Sequence, residues 1–212
     1  MAAAVDRIVL NQEFFSNTYV LRASESAPEA VVVDPGGDPT PLFGALESLG
    51  ATVAGILVTH ADIDHVDGLA AHAAATGAEA WVPAGEASFI RSGSVRPGIP
   101  VPAHDPAHEV ADGDVIRLAG LELQVVGVPG HSVDHVAFFV DGSLFAGDLL
   151  FAGSVGRVDL PGGNWDRLVS SIARLLELYG PDTVVYPGHG EPTTLGRELA
   201  VNPFLDELRT AR

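Results

Sequence analysis

The chain contains no cysteine. That removes disulfides, thiolate metal ligands and a cysteine nucleophile together. Lysine is absent as well, so all 11 basic side chains are arginines. Set against 28 acidic residues, they leave a formal net charge of −17. Such a field repels phosphate backbones and anionic lipid, so neither nucleic acid nor a membrane is expected as a partner. No run approaches the roughly eighteen apolar residues that a membrane-spanning helix needs. The opening "MAAAVDRIVLNQEFF" places Asp6 and Arg7 ahead of any long apolar stretch. It therefore reads as no secretory signal, and a cytoplasmic protein is expected. No repeat recurs at a fixed period, and no shift in composition marks a linker.

What remains is a chain of 212 residues, 47% of them hydrophobic, which is enough to bury one sizeable core. Short β-branched runs, "RIVL", "TYVLRA" and "AVVVDPGG", predict three early strands, the last closed by a Pro-Gly-Gly turn. "PTPLFGALESLG" and "GLAAHAAATG" predict helices closed by glycine. "AGILVTH" and "AEAWVP" predict further strands, and the stretch from Arg91 to Pro106 predicts a surface loop. Downstream, turns at Ala119-Gly120 and Asp141-Gly142 predict two hairpins. "NWDRLVSSIARLLELYG" places Leu168, Ile172, Leu175 and Leu176 on one helical face. A strand "TVVYPGHG" and a helical tail close the chain. The pattern suits sheets sandwiched between helices in one α/β domain over residues 1–212.

Eight histidines stand at 60, 65, 72, 104, 108, 131, 135 and 189. His60, His131 and His189 each follow an apolar strand-like run, as does Asp148 in "SLFAGD", and His65 shares a turn with His60. Strand ends feeding loops are where α/β folds gather chemistry. A single strand-end histidine is more often structural than ligating. "VTHADIDHVDG" changes that balance, because clustering Asp62, Asp64 and Asp67 beside two histidines is costly without a cation. Asp67 itself reads as a solvated turn residue. His72, His104 and His108 read as surface polar residues, and Tyr186 as core.

Five collinear motifs carry a resemblance. They are "VDPGG" (33–37), "THADIDHVDG" (59–68), "PGHSVDH" (129–135), "FAGDLLFAGSVGRVDLPGGN" (145–164) and "VVYPGHGEPTTLGRELAVNPFL" (184–205). In these the chain resembles metallo-β-lactamase-fold hydrolases, in particular their small glyoxalase II-like (hydroxyacylglutathione hydrolase-like) branch. The resemblance implies a four-layer αββα sandwich of the α/β class and two divalent metal ions, zinc foremost, with iron or manganese allowed. It assigns a first metal to His60, Asp62 and His131, and a second to Asp64, His65 and His189, with Asp148 bridging. Asp64 and Asp148 are the residues it brings into direct contact with the reaction. Asp34 matches an aspartate that supports the metal loop, and His135 is not expected to be a ligand.

The departure lies at Asp62, where the family's commoner motif has histidine. An aspartate there matches variants within the superfamily and reads as a ligand exchange that makes the centre less positive. A less positive centre is a weaker Lewis acid and favours oxygen-loving metals. The activity implied is hydrolysis of a small thiol's thioester, such as S-lactoylglutathione, by a metal-bound hydroxide. The chain ends soon after "NPFL", without the extra helical domain of full-length glyoxalase II enzymes, so glutathione as the carrier rests on analogy. Two alternatives stand beside it: a persulfide dioxygenase-like enzyme with one iron, and a degenerate metal-binding module without catalysis. Oligomeric state is left open. A secreted β-lactamase is disfavoured by the missing signal, and a nuclease by the acidity. Arg157 is read as either a binder of substrate carboxylate or the partner of Asp159.

Overall fold

The structure is a computed structural model and describes residues 3–10, 13–95 and 98–210. Strands β1 (Ala4–Val9), β2 (Asn17–Arg22), β3 (Glu29–Val33), β4 (Thr52–Leu57) and β5 (Glu79–Pro83) belong to a first sheet. A small hairpin, β6 (Ser94–Val95) and β7 (Ile99–Pro100), precedes β8 (His108–Val110), which completes that sheet in the order β1-β2-β3-β4-β5-β8. The second sheet contains β9 (Val115–Leu118), β10 (Leu121–Gly127), β11 (Val136–Val140) and β12 (Ser143–Gly147). After the β13 (Leu150–Phe151) and β14 (Ser154–Val155) hairpin come β15 (Val184–Pro187) and β16 (Thr193–Thr194). The second sheet runs β16-β15-β12-β11-β10-β9.

Period-2 alternation splits each strand between two faces. In β3, Val31 and Val33 join a central core with Tyr19, Leu21 and Leu57 from the first sheet and with Leu123, Phe138 and Phe145 from the second. The intervening Ala30 and Val32 face outward against Leu42 and Leu46 of helix α1 (Thr40–Leu49). After the short α2 (Ile63–Val66), helices α3 (Leu69–Thr76) and α4 (Ala87–Ser92) cover the same outer face beside Ile56, Ala80 and Val82. On the far side, Leu144 and Ala146 of β12 pack on Leu168, Ile172 and Leu175 of α5 (Trp165–Leu178). Leu195 of α6 (Leu195–Val201) and Leu205, just before α7 (Asp206–Thr210), complete that layer. The result is the expected αββα sandwich. Among the described residues no helix is long and apolar enough to cross a membrane.

Both expected hairpin turns form. Ala119 and Gly120, and likewise Asp141 and Gly142, all have positive φ, the pairing that matches strand twist in a two-residue turn. The Arg91–Pro106 segment is not a plain loop. It begins inside α4 and contains the β6–β7 hairpin; residues 96 and 97 of that segment lie outside the described residues. The difference has a local cause. Ala87 and Ile90 are buried, so α4 is held by packing, and its Gly93 C-cap (φ 65) turns the chain into the hairpin.

The two sheets meet where the candidate site lies. Asn17 N donates to Gly188 O at 2.6 Å, and Val136 N donates to Thr59 O at 3.0 Å. A bridge also pairs Ser16 with His189. The loops after β3, β4, β10, β12 and β15 therefore open on one edge. In β12 the register against β15 shifts between Phe145 and Gly147. That irregularity, with Gly147 at φ 47, turns the strand end that carries Asp148.

Candidate metal centre

His60, Asp62 and His131 bring ligand-type atoms within 4.8 Å of one another, and so do Asp64, His65 and His189. A third group, His60, His65 and Asp148, joins the two. Asp62 Oδ2 lies 3.1 Å from His131 Nε2 and 3.8 Å from His60 Nε2. Asp64 Oδ2 lies 3.1 Å from His189 Nε2 and 3.5 Å from His65 Nε2. Asp148 spans both groups, with Oδ1 3.4 Å from His65 and Oδ2 3.4 Å from His189 and 3.9 Å from His131. All seven residues named from the sequence are thus brought together.

The rings are held from behind. Thr59 Oγ1 donates to Asp34 Oδ2 at 2.7 Å, so its oxygen is left to accept from His60 Nδ1 at 2.9 Å. His65 Nδ1 donates to the same Asp34 oxygen at 3.0 Å, and His131 Nδ1 donates to Arg157 O at 2.8 Å. With Nδ1 carrying the proton, each Nε2 presents a lone pair to the centre. Asp34 also accepts from Thr59 N at 2.7 Å. Its backbone sits at φ 52, and an aspartate enters that region more readily than most side chains.

His60 Nε2, His65 Nε2 and Asp148 Oδ1 are buried without a hydrogen-bond partner. Nitrogen lone pairs and carboxylate oxygens face one another across this space, an arrangement that a bound cation relieves. The donor set is imidazole and carboxylate with no sulfur, which fits divalent ions such as zinc, iron or manganese. Close glycines keep the space open: a Cβ on Gly188 would overlap Asp148 Oδ1 and the His65 ring.

Burial, aided by the neighbouring imidazoles, holds His60 well below the usual histidine range and pushes His135 down to about 3. Burial also opposes charge on His65, but Asp64, Asp148 and Asp34 together outweigh it and raise that ring well above its usual value. His131 is raised despite burial by its contact with Asp62, and His189 reaches about 10 through Asp148 and Asp64. Asp148, which burial alone would raise, is held well below the carboxylate range by His65 and His189. Without a metal the carboxylates draw protons onto the rings, so metal and proton compete for the same positions.

Other residues fall where their contacts place them. Asp67 accepts from Gly37 N at 2.6 Å, bracing the Pro-Gly-Gly turn. Arg157 makes a bidentate pair with Asp159, 2.7 Å at each oxygen. Tyr186 stacks on Phe145 within the central core, centroids 4.9 Å apart. His135 is buried 4.7 Å from the His60 ring with both nitrogens unpartnered, but it joins none of the ligand groups. His108 pairs with Glu79 at 2.8 Å and stacks on Trp81 at the surface, and His104 is half-buried. His72 departs from expectation. It is buried, edge-on to Phe43 at 5.9 Å, because α3 turns that face onto α1 rather than to solvent.

One buried carboxylate braces the site without any signal in the sequence. Glu86, buried at the start of α4, accepts from Ala61 N at 2.6 Å, from the Ser132 hydroxyl and from Asp134 N at 3.2 Å. It ties the loop bearing His60 and Asp62 to the loop bearing His131. A lone glutamate between a strand and a helix carries no signal of this; only its burial does.

A family model described as the metallo-beta-lactamase superfamily matches residues 11–189. The chain belongs to that superfamily. It is 32% identical over 185 residues to hydroxyacylglutathione hydrolase GloC of Haemophilus influenzae, covering 84% of this chain and 87% of the relative. Among solved structures, BLEG-1 B3 metallo-beta-lactamase superposes with a TM-score of 0.87 at 31% identity, over 96% of this chain and 100% of that one. TTHA1623 in a di-iron-bound form gives a TM-score of 0.75 at 37% identity, over 94% and 100%.

Proposed function

We propose that the chain is a two-metal hydrolase of small-thiol thioesters, with His60, Asp62 and His131 holding one metal, Asp64, His65 and His189 the other, and Asp148 between them. The observation that carries this reading is the completeness of both groups, together with the position of Asp148 within 4 Å of His65, His131 and His189. An enzyme built around one iron would need only one group. The GloC relative and the di-iron-bound neighbour support the same reading.

Divalent metals held there would supply Lewis acidity and a hydroxide at neutral pH. The chain's own residues do the rest. Thr59, Asp34 and the Arg157 carbonyl fix the His60, His65 and His131 rings so that the Nε2 of each is available. Glu86 keeps the two loops of the first group in register. In the overall reaction, a water oxygen forms a bond to the acyl carbon, the C–S bond breaks, and the thiolate leaves with the electron pair; of the two water protons, one passes to solvent and the other is taken up by the thiolate after it departs. A thiolate, with a solution pKa of about 8.5, needs no proton to depart. That suits a site where Tyr186 is packed into the core and Arg157 is paired with Asp159.

The test is turnover by metal-loaded protein on acyl thioesters of glutathione and of N-acetylcysteamine, with glutathione persulfide under oxygen-electrode readout and a cephalosporin run in parallel. Thioester cleavage is expected, without oxygen consumption. Oxygen uptake with persulfide, or cephalosporin cleavage without thioester cleavage, would replace this reading.

A further inference from the structure

A concavity lies beside the loop that bears His131. It encloses about 530 Å³ and is lined by Phe89 and Ser92 of α4, Ser94 and Val95 of β6, and Val133 and Pro161. That volume falls within the range of small-molecule pockets, roughly 300–1,000 Å³. None of these lining side chains carries a charge. Val133 stands two residues from His131, yet its apolar side chain is 41% exposed. The turn that presents a candidate ligand to the metals thus presents an isopropyl group to the cavity.

The walls are fixed relative to the centre. Glu86, bonded to Ala61 N and Ser132, is the residue that caps the start of α4, and Phe89 N donates to its carbonyl at 3.0 Å. The loop bearing Pro161 is tied to the loop bearing His131 through Asn164 N to Gly130 O at 2.8 Å and His131 Nδ1 to Arg157 O at 2.8 Å. Gly162 (φ 90) packs so closely that a Cβ there would press on Val133.

We infer that this cavity receives the acyl chain of the thioester, so that the substrates are aliphatic acyl thioesters of four carbons or more in preference to short hydroxyacyl esters. The inference rests on the thioesterase reading and names its substrate class. A carboxylate-bearing moiety such as glutathione finds no cationic side chain among these lining residues, whereas a hydrocarbon chain finds apolar walls and sheds water. Each methylene that enters contributes up to about fourfold in binding.

The experiment uses metal-loaded protein and two series. One is N-acetylcysteamine thioesters with acyl chains of two to eight carbons. The other is acetyl thioesters in which the thiol is lengthened instead. S-alkyl N-acetylcysteamine thioethers, which cannot be hydrolysed, give dissociation constants by calorimetry. In the acyl series, kcat/KM is expected to climb about threefold per methylene up to six carbons, with thioether affinity following the same slope. Val133→Asp should flatten both, Val133→Ser should flatten them less, and Leu178→Ser, at an exposed apolar position elsewhere, should leave both as in the wild type. A flat acyl series, or a slope confined to the thiol series, overturns the inference while leaving the thioesterase reading intact. Chain-dependent thioether binding with no thioester turnover would support the pocket and remove the reading.

Discussion

The two halves of the metal cluster use the same residue types and are secured in different ways. In the half formed by His60, Asp62 and His131, both rings are almost wholly buried, and a carboxylate from outside the cluster, Glu86, clamps the two contributing loops together. In the half formed by Asp64, His65 and His189, the last ring is 29% exposed. Its supports are spread out: Asp34 on His65, Ser16 Oγ donating to the Asp64 carbonyl at 2.8 Å, and Asn17 Nδ2 donating to the Pro187 and Gly190 carbonyls on either side of His189. Asp34 reaches into both halves, because through Thr59 it also orients His60. The contrast separates three kinds of residue: one shared by the halves at the centre (Asp148), one shared behind them (Asp34), and one private to a half (Glu86).

That ranking can be broken by mutation, and the largest effect belongs to the shared centre. Asp148→Ala should lower metal content in both halves and reduce hydrolysis by more than about 100-fold, beyond what loss of an outer partner causes. Metal analysis alongside kinetics checks it, and loss from one half alone would deny Asp148 its bridging place. Asp34→Ala comes next. It should weaken both metals by about 10–100-fold, read by competition with a chromogenic chelator. Glu86→Ala should weaken only the first by a similar factor or less, leaving the second at its wild-type affinity. Equal weakening of both by Glu86→Ala would mean the brace serves the whole fold rather than one half.

The smallest effect lies outside the cluster. His72 is buried with neither nitrogen hydrogen-bonded, and burial lowers its pKa from 6.5 to about 4. Between those values the unfolded chain binds a proton that the folded chain excludes, so stability falls as pH drops from 6.5 towards 4. His72→Leu should remove that part of the acid dependence. Urea midpoints of the two proteins, compared at pH 7 and pH 4.5, should diverge in favour of the variant at the lower pH. Parallel curves would show that His72 is not buried in its neutral form.

What could be read from the sequence was what repeats locally. The β-branched run at Val31, Val32 and Val33 announces β3 as a strand, whereas the four-layer order of the sandwich rests on the resemblance carried by the five motifs. Asp-Gly at 141–142 announces its own turn. His60, His131, Asp148 and His189 each stand just past an apolar run, which is why they could be singled out before their convergence was visible. His72 and Glu86 carry no such mark. An alanine-rich helix leaves its polar residue's environment to whichever element packs against it, here Phe43 of α1. Glu86 becomes a brace only because three donors from loops 25 to 48 residues away converge on it. The β6–β7 hairpin was hidden for the same reason, since its strands are two residues each and hang on the packing of α4.

The proposed two-metal centre depends on Asp62 as a working ligand. Metal content per chain, measured on protein purified without chelator and reconstituted with zinc or iron, tests it most directly when wild type and Asp62→Ala are compared. Two metals are expected in the wild type and one in the variant, held by the second half. Two metals in both proteins, or fewer than two in the reconstituted wild type, would overturn it.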